Sequence, residues 1–225
     1  MGLGAGPDVG PWEPLFDGKT LAGWDVRRGP IGNALEPRVR GQHRPVFTVT
    51  EIDNAPVIRG PPEGDWRLMT GRVFENYHLR LEYRRGHAAL GERPNSGVMY
   101  HYRSEPIDGH FLKVRFQELD LWPPEVGHLH SLPDISMKRE FGDLWNYERP
   151  APAWNRVNLM CAGDAAAHAI NGHLTLRYRD ARIVFGNDRT PYTSGHIQLQ
   201  AFHGTVYFRN IQIRAIRAIT EGLYR

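Results

Sequence analysis

The chain has 225 residues, 40% hydrophobic and 24% charged, a mixture that excludes disorder, collagen and coiled coil and suits one all-β domain. No stretch approaches the roughly 20 apolar residues of a membrane-spanning helix. The formal charge of +3 is a near-balanced sum of 28 basic and 25 acidic side chains, and all the basic ones except Lys19, Lys113 and Lys138 are arginine. They are scattered, with Arg27–Arg28 and Arg84–Arg85 the longest clusters, so no stripe tracks a phosphate backbone and nucleic acid is not an expected partner.

Gly and Pro punctuate the chain, and the runs between them alternate instead of following a helical period. Met1 to Trp12 is rich in Gly and Pro and lacks the basic segment and apolar run of a secretory leader. The lone cysteine, Cys161, can form neither an internal disulfide nor a thiolate cage. Together these point to a cytoplasmic setting. Residues 1–14 read as an extension, 15–217 as one domain and 218–225 as a tail.

Gly29–Pro45 reads as a surface excursion. In Tyr77–Arg84, residues Tyr77, Leu79, Leu81 and Tyr83 share one face of a half-buried strand, and His78, Arg80, Glu82 and Arg84 share the other. Val114–Asp120 reads as a strand with Val114 and Phe116 packed inward and Arg115 and Gln117 on the opposite face. Leu121–Pro152 reads as a loop of about 30 residues, uncommon in a compact domain unless it covers a site. Val157–Cys161 alternates and buries Cys161.

Ala169–Arg179 reads as a hairpin turning at Asn171-Gly172, which accepts the positive φ angles of a type I′ turn. Gly195–Ala201 alternates again. Val206–Ile213 changes phase once, and a bulge near Arg209–Asn210 would restore the register. Many short strands without a repeat predict a β-sandwich or jelly roll.

Leu15-Phe16-Asp17-Gly18-Lys19-Thr20-Leu21-Ala22-Gly23-Trp24 is similar to the opening signature of the 3-keto-disaccharide hydrolase domain family. Asn95-Ser96-Gly97-Val98, Trp154-Asn155-Arg156-Val157, Asn171-Gly172, and Gly195–Gln200 with Phe208-Arg209-Asn210-Ile211 resemble its later blocks, in order. The resemblance implies a concanavalin-A-like jelly roll of two packed antiparallel sheets, with a small carbohydrate held on a concave face. Self-association is left open, and many members are exported, unlike the setting read above.

Where the family shows Glu-x-Gln followed by an acid, this chain has Arg115, Gln117, Glu118 and Asp120. Losing the first carboxylate removes one of the two that double displacement at a glycosidic bond requires. A 3-keto sugar permits elimination instead: a base removes the proton beside the ketone and the C1 substituent leaves. Water can then be added back, giving net hydrolysis, or not, giving a lyase product. Asp120 or Glu118 could be the base, and Arg115, a histidine or a divalent metal could hold the enolate.

His101 stands where the family commonly has Arg and could act in catalysis or be a packed histidine, and His203 matches a family histidine that could bind the substrate. Gln117 could bond sugar hydroxyls, Arg209 could hold a carboxylate of the sheet, and Trp122 and Trp145 could stack on a pyranose. Trp24 and Trp154 are expected in the core. His128 and His130 have the spacing of a metal pair, though without a third ligand in register. The competing expectation is a non-catalytic carbohydrate-binding module that uses the same face.

Overall fold

The computed structural model describes residues 9–28, 46–86, 95–106 and 112–223. The expected excursion at 29–45 therefore lies outside the described residues. The described chain is all-β, with one short 3-10 turn at Glu221–Leu223. Strands are numbered along the chain.

One sheet has six strands: β2 (Trp24–Arg28), β5 (Asp65–Thr70), β7 (Asn95–Pro106), β8 (Leu112–Asp120), β9 (Leu129–Ser131) and β15 (His196–Phe202). Their order is β2-β5-β15-β7-β8-β9. The other has ten, with β3 (Thr48–Ile52), β4 (Ala55–Arg59), β6 (Tyr77–Arg85), β10 (Ile135–Gly142), β11 (Asn155–Ala162), β12 (Ala165–Ile170), β13 (His173–Phe185) and β16 (Val206–Ala215) in the order β10-β13-β12-β11-β6-β16-β4-β3. Its two short members, β1 (Glu13–Pro14) and β14 (Asp188–Pro191), pair with β16 and β13. Neighbouring strands are antiparallel throughout.

The alternation of β6 is the one expected: Tyr77, Leu79, Leu81 and Tyr83 enter the core between the sheets. They meet Leu68, Val98, Tyr100, Leu119 and Leu199 from the smaller sheet. The hairpin joins β12 to β13, with φ of 52° at Asn171 and 88° at Gly172. The bulge in β16 falls between Arg209 and Gln212, where Asn210 has φ of 53°. Across the core, Tyr100 Oη bonds His168 Nε2 at 2.8 Å, and Thr175 Oγ1 donates to Gly127 O at 2.8 Å.

Two expectations need correction. The stretch 121–152 is not one loop but contains β9 and β10. β10 is an edge strand, bulged twice against β13 and largely solvent-facing, so its sequence carries no apolar alternation. Trp154 is half-buried outside the core, under the Arg209 guanidinium at 3.9 Å. Trp24 does pack on the core, its indole N–H donating to Leu15 O at 2.6 Å. Among the described residues no helix is long and apolar enough to cross a membrane.

Candidate active site

β8 faces the other way from its sequence reading. Leu119 enters the core, and Gln117 stands opposite Tyr100, whose hydroxyl reaches the larger sheet. Phe116, Glu118 and Asp120 therefore share the outer face of the six-stranded sheet. Phe116 there joins Met69, Met99 and Tyr102 in an apolar cluster separate from the main core.

Glu118 stands opposite Met99, and Asp120 opposite Gly97. A Cβ on Gly97 would land on the Glu118 carboxylate, so that carboxylate lies across the bare glycine backbone. Gly97 is also opposite Gln200, and Gln200 opposite Arg67. One row across the sheet thus runs Arg67, Gln200, Gly97, Asp120, with the Glu118 carboxyl filling the gap left by glycine. Arg67 is buried and pairs with Asp65 at 2.9 Å, and Gln200 donates to the other oxygen of Asp65 at 3.3 Å.

Burial dominates the electrostatics. Glu118 is only 6% exposed, and desolvation, with Asp120 beside it, pushes its pKa up to about 8 against the pull of Arg67. Burial also raises Asp120 to about 6, partly offset by the Trp122 N–H, which donates to Asp120 Oδ1 at 2.7 Å. At neutral pH the pair divides into one protonated and one ionised carboxyl, the condition for an acid and a base side by side. The buried side-chain amide of Gln198 and the side-chain Oε1 of Gln200 have no partner among the described residues. An unmet polar group of this kind costs about 1–3 kcal/mol, which a hydroxyl-rich ligand would offset. Gly97→Ala should keep the strand backbone, since the clash is with the Glu118 side chain alone, yet it must displace that side chain from Cγ outward. The expected result is an unchanged melting temperature to within a few degrees and a Glu118 titration shifted down, read by NMR.

Around this centre stand Trp122, half-buried just past Asp120, and His203, exposed after Phe202 with its ring 4.1 Å from that phenyl. His130 is opposite Glu118 and stacks on Phe116 at 6.1 Å. The remaining sequence candidates lie elsewhere. Arg115 is held by Glu105 at 2.6 Å and Asp134 at 2.9 Å, not by Glu118 or Asp120. His101 is buried among Tyr77, Tyr100 and Tyr192, where burial lowers its pKa to about 3 and keeps it neutral.

Arg209 does hold a sheet carboxylate, Glu82 at 2.7 Å, but on the larger sheet. Trp145 is 70% exposed beyond β10. His128 precedes β9, and no group of three or more His, Cys, Asp or Glu able to hold a metal occurs among the described residues. Arg67, Asp65, Gln198, Gln200 and Gly97 were not singled out from the sequence. A glycine inside an apolar strand was the available signal, because it marks close approach of another group.

No curated protein matches the sequence. Two crystal structures from Parabacteroides distasonis ATCC 8503, provisionally described as glycosyl hydrolases, share the fold. The first is 19% identical with a TM-score of 0.56, covering 91% of this chain and 94% of its own. The second is 20% identical with a TM-score of 0.54, covering 92% and 100%. A Bacillus subtilis protein of unknown function with a galectin-like fold is 10% identical, with a TM-score of 0.52 over 87% of this chain and 90% of its own. Residues 11–214 match the family of the 3-keto-alpha-glucoside-1,2-lyase-like domain, and with nearly the whole sandwich inside that match the chain belongs to this family.

Proposed function

We propose that this protein cleaves a small 3-keto-glycoside by elimination on the outer face of the six-stranded sheet. The observation that carries the reading is the Glu118 carboxyl laid over Gly97, beside Asp120 and within the field of Arg67. The family description, which names a 3-keto-alpha-glucoside lyase, supports the substrate class.

Ionised Asp120 removes the C2 proton, which the adjacent C3 ketone acidifies. The electron pair moves onto the ketone oxygen, and the Arg67 guanidinium stabilises the enolate. Collapse of the enolate breaks the C1–O bond while neutral Glu118 protonates the leaving oxygen. Asp120 ends with one proton more and Glu118 with one fewer, so a proton exchange with solvent restores both. Gln198 and Gln200 bond sugar hydroxyls, and Trp122 offers an aromatic face to the pyranose. Addition of water to the unsaturated product would give net hydrolysis.

Turnover should rise with pH through about 6 as Asp120 ionises and fall through about 8 as Glu118 ionises. The test is incubation with a 3-keto-glucoside and its unoxidised parent across that range, with products read by mass spectrometry. Cleavage of the keto form alone with a bell-shaped profile is the expected result. Equal cleavage of both sugars would discard elimination, and binding without cleavage would leave a carbohydrate-binding module.

A further inference from the structure

The outer face of the ten-stranded sheet, on the far side of the sandwich from the candidate site, carries a cavity of about 460 Å³. Among the described residues three guanidiniums line it, from Arg80, Arg156 and Arg214, against one carboxylate, Glu82. Glu82 Oε2 accepts from Arg209 at 2.7 Å and from Asn210 at 3.0 Å, and its Oε1 forms a longer ion pair with Arg156 at 3.9 Å.

Arg80 donates through Nε and Nη2, at 2.8 and 2.6 Å, to the neutral amide oxygen of Gln212. Arg214 Nη2 donates to His78 Nδ1 at 3.2 Å, and its buried Nε has no partner among the described residues. Accepting at Nδ1 leaves the proton on Nε2, which donates to Asn158 Oδ1 at 2.9 Å, so His78 is a neutral brace. Trp12 gathers the two arginines, with Arg80 3.8 Å and Arg214 4.3 Å from its ring. Burial and like-charge repulsion, from Arg156 on Arg80 and from Arg80 on Arg214, hold both guanidiniums below their ordinary pKa.

Three cationic groups facing a single carboxylate among the described residues, one of them with an unsatisfied buried N–H, are relieved by an anion. We propose that this cavity binds a phosphate group. A phosphate dianion offsets more of the excess charge than a carboxylate, and its tetrahedral oxygens accept guanidinium N–H groups in pairs. Because the indole already carries two guanidiniums, the cavity reads charge and leaves any organic part of the ligand towards solvent.

The test is calorimetric titration of the full chain at low ionic strength with inorganic phosphate and, separately, glucose 6-phosphate. One-site binding is expected with a dissociation constant of about 1 mM or tighter. Arg80→Gln and Arg214→Gln should each weaken it about tenfold, with folding checked by circular dichroism. Arg156→Gln, at a side chain 58% exposed, leaves the packing untouched and should still weaken binding about threefold. Tighter binding of the sugar phosphate would assign a phosphate monoester as the ligand, and equal binding inorganic phosphate. Absence of binding to both, or affinity unchanged in the variants that fold, would overturn the proposal.

Discussion

Asp120→Asn should lower turnover of a 3-keto-glucoside by roughly 10²- to 10⁴-fold, the usual loss when a general base is removed. The amide keeps the shape and can still accept the Trp122 N–H, so the melting temperature should move little. Glu118→Gln should behave differently. Its acid acts only on the leaving oxygen, so a glycoside with a nitrophenolate leaving group, which departs unprotonated, should recover most of the lost rate. The same substrate should not rescue Asp120→Asn, because abstraction of the C2 proton remains. Equal rescue of both variants, or full activity of Asp120→Asn, would remove the assignment of base and acid.

The second large effect concerns stability. Glu118 has its folded pKa raised from 4.5 to about 8, chiefly by burial. A raised folded pKa means that the contribution is fully present below the unfolded value and is lost as pH rises through the folded one. Between pH 4.5 and 8 the native state therefore loses roughly 3–5 kcal/mol through this side chain, at about 1.4 kcal/mol per pH unit. Glu118→Gln, neutral at every pH, should match the parent near pH 4.5 and exceed it by that amount near pH 8.5 in urea unfolding. The buried histidines titrate in the opposite sense, but both proteins contain them and they cancel in the difference. Parallel pH profiles would show that the carboxyl is not desolvated. A stabilising substitution that removes activity is the expected signature of a group kept in place for chemistry.

Where one face of a strand is apolar and the other wet, the sequence was readable. β6, the Asn171-Gly172 hairpin and the phase change in β16 all follow from period-two alternation and turn chemistry. β8 defeats that logic because both its faces are buried. Phe116 lies against Met69, Met99 and Tyr102 outside the main core, so its apolar character pointed to the wrong side. The polar Gln117, equally buried, pointed to the wrong side as well.

The two candidate carboxylates were picked out through the resemblance to the family's Glu-x-Gln block, and their spacing of two puts them on one face of β8. Their partners were not picked out. Arg67 and Gln200 reach the site through antiparallel pairings between distant parts of the chain, and within their own strands they read as an ordinary polar face. The pairing of Arg115 with Glu105 and Asp134 likewise depends on groups that only the fold brings near it.

The placement of the last two strands has a consequence for how the chain reaches this structure. β15 lies between β5 and β7 in the middle of the smaller sheet, and β16 lies between β6 and β4 in the larger one. During synthesis each sheet therefore waits as two unjoined halves, with open hydrogen-bonding edges, the smaller until Phe202 and the larger until Ala215 has left the ribosome. Folding then closes long sequence separations in one late step, the slow regime for β topologies. A nascent chain halted before β16 is left with its central edges bare and is a natural client for a chaperone that shields unpaired strands.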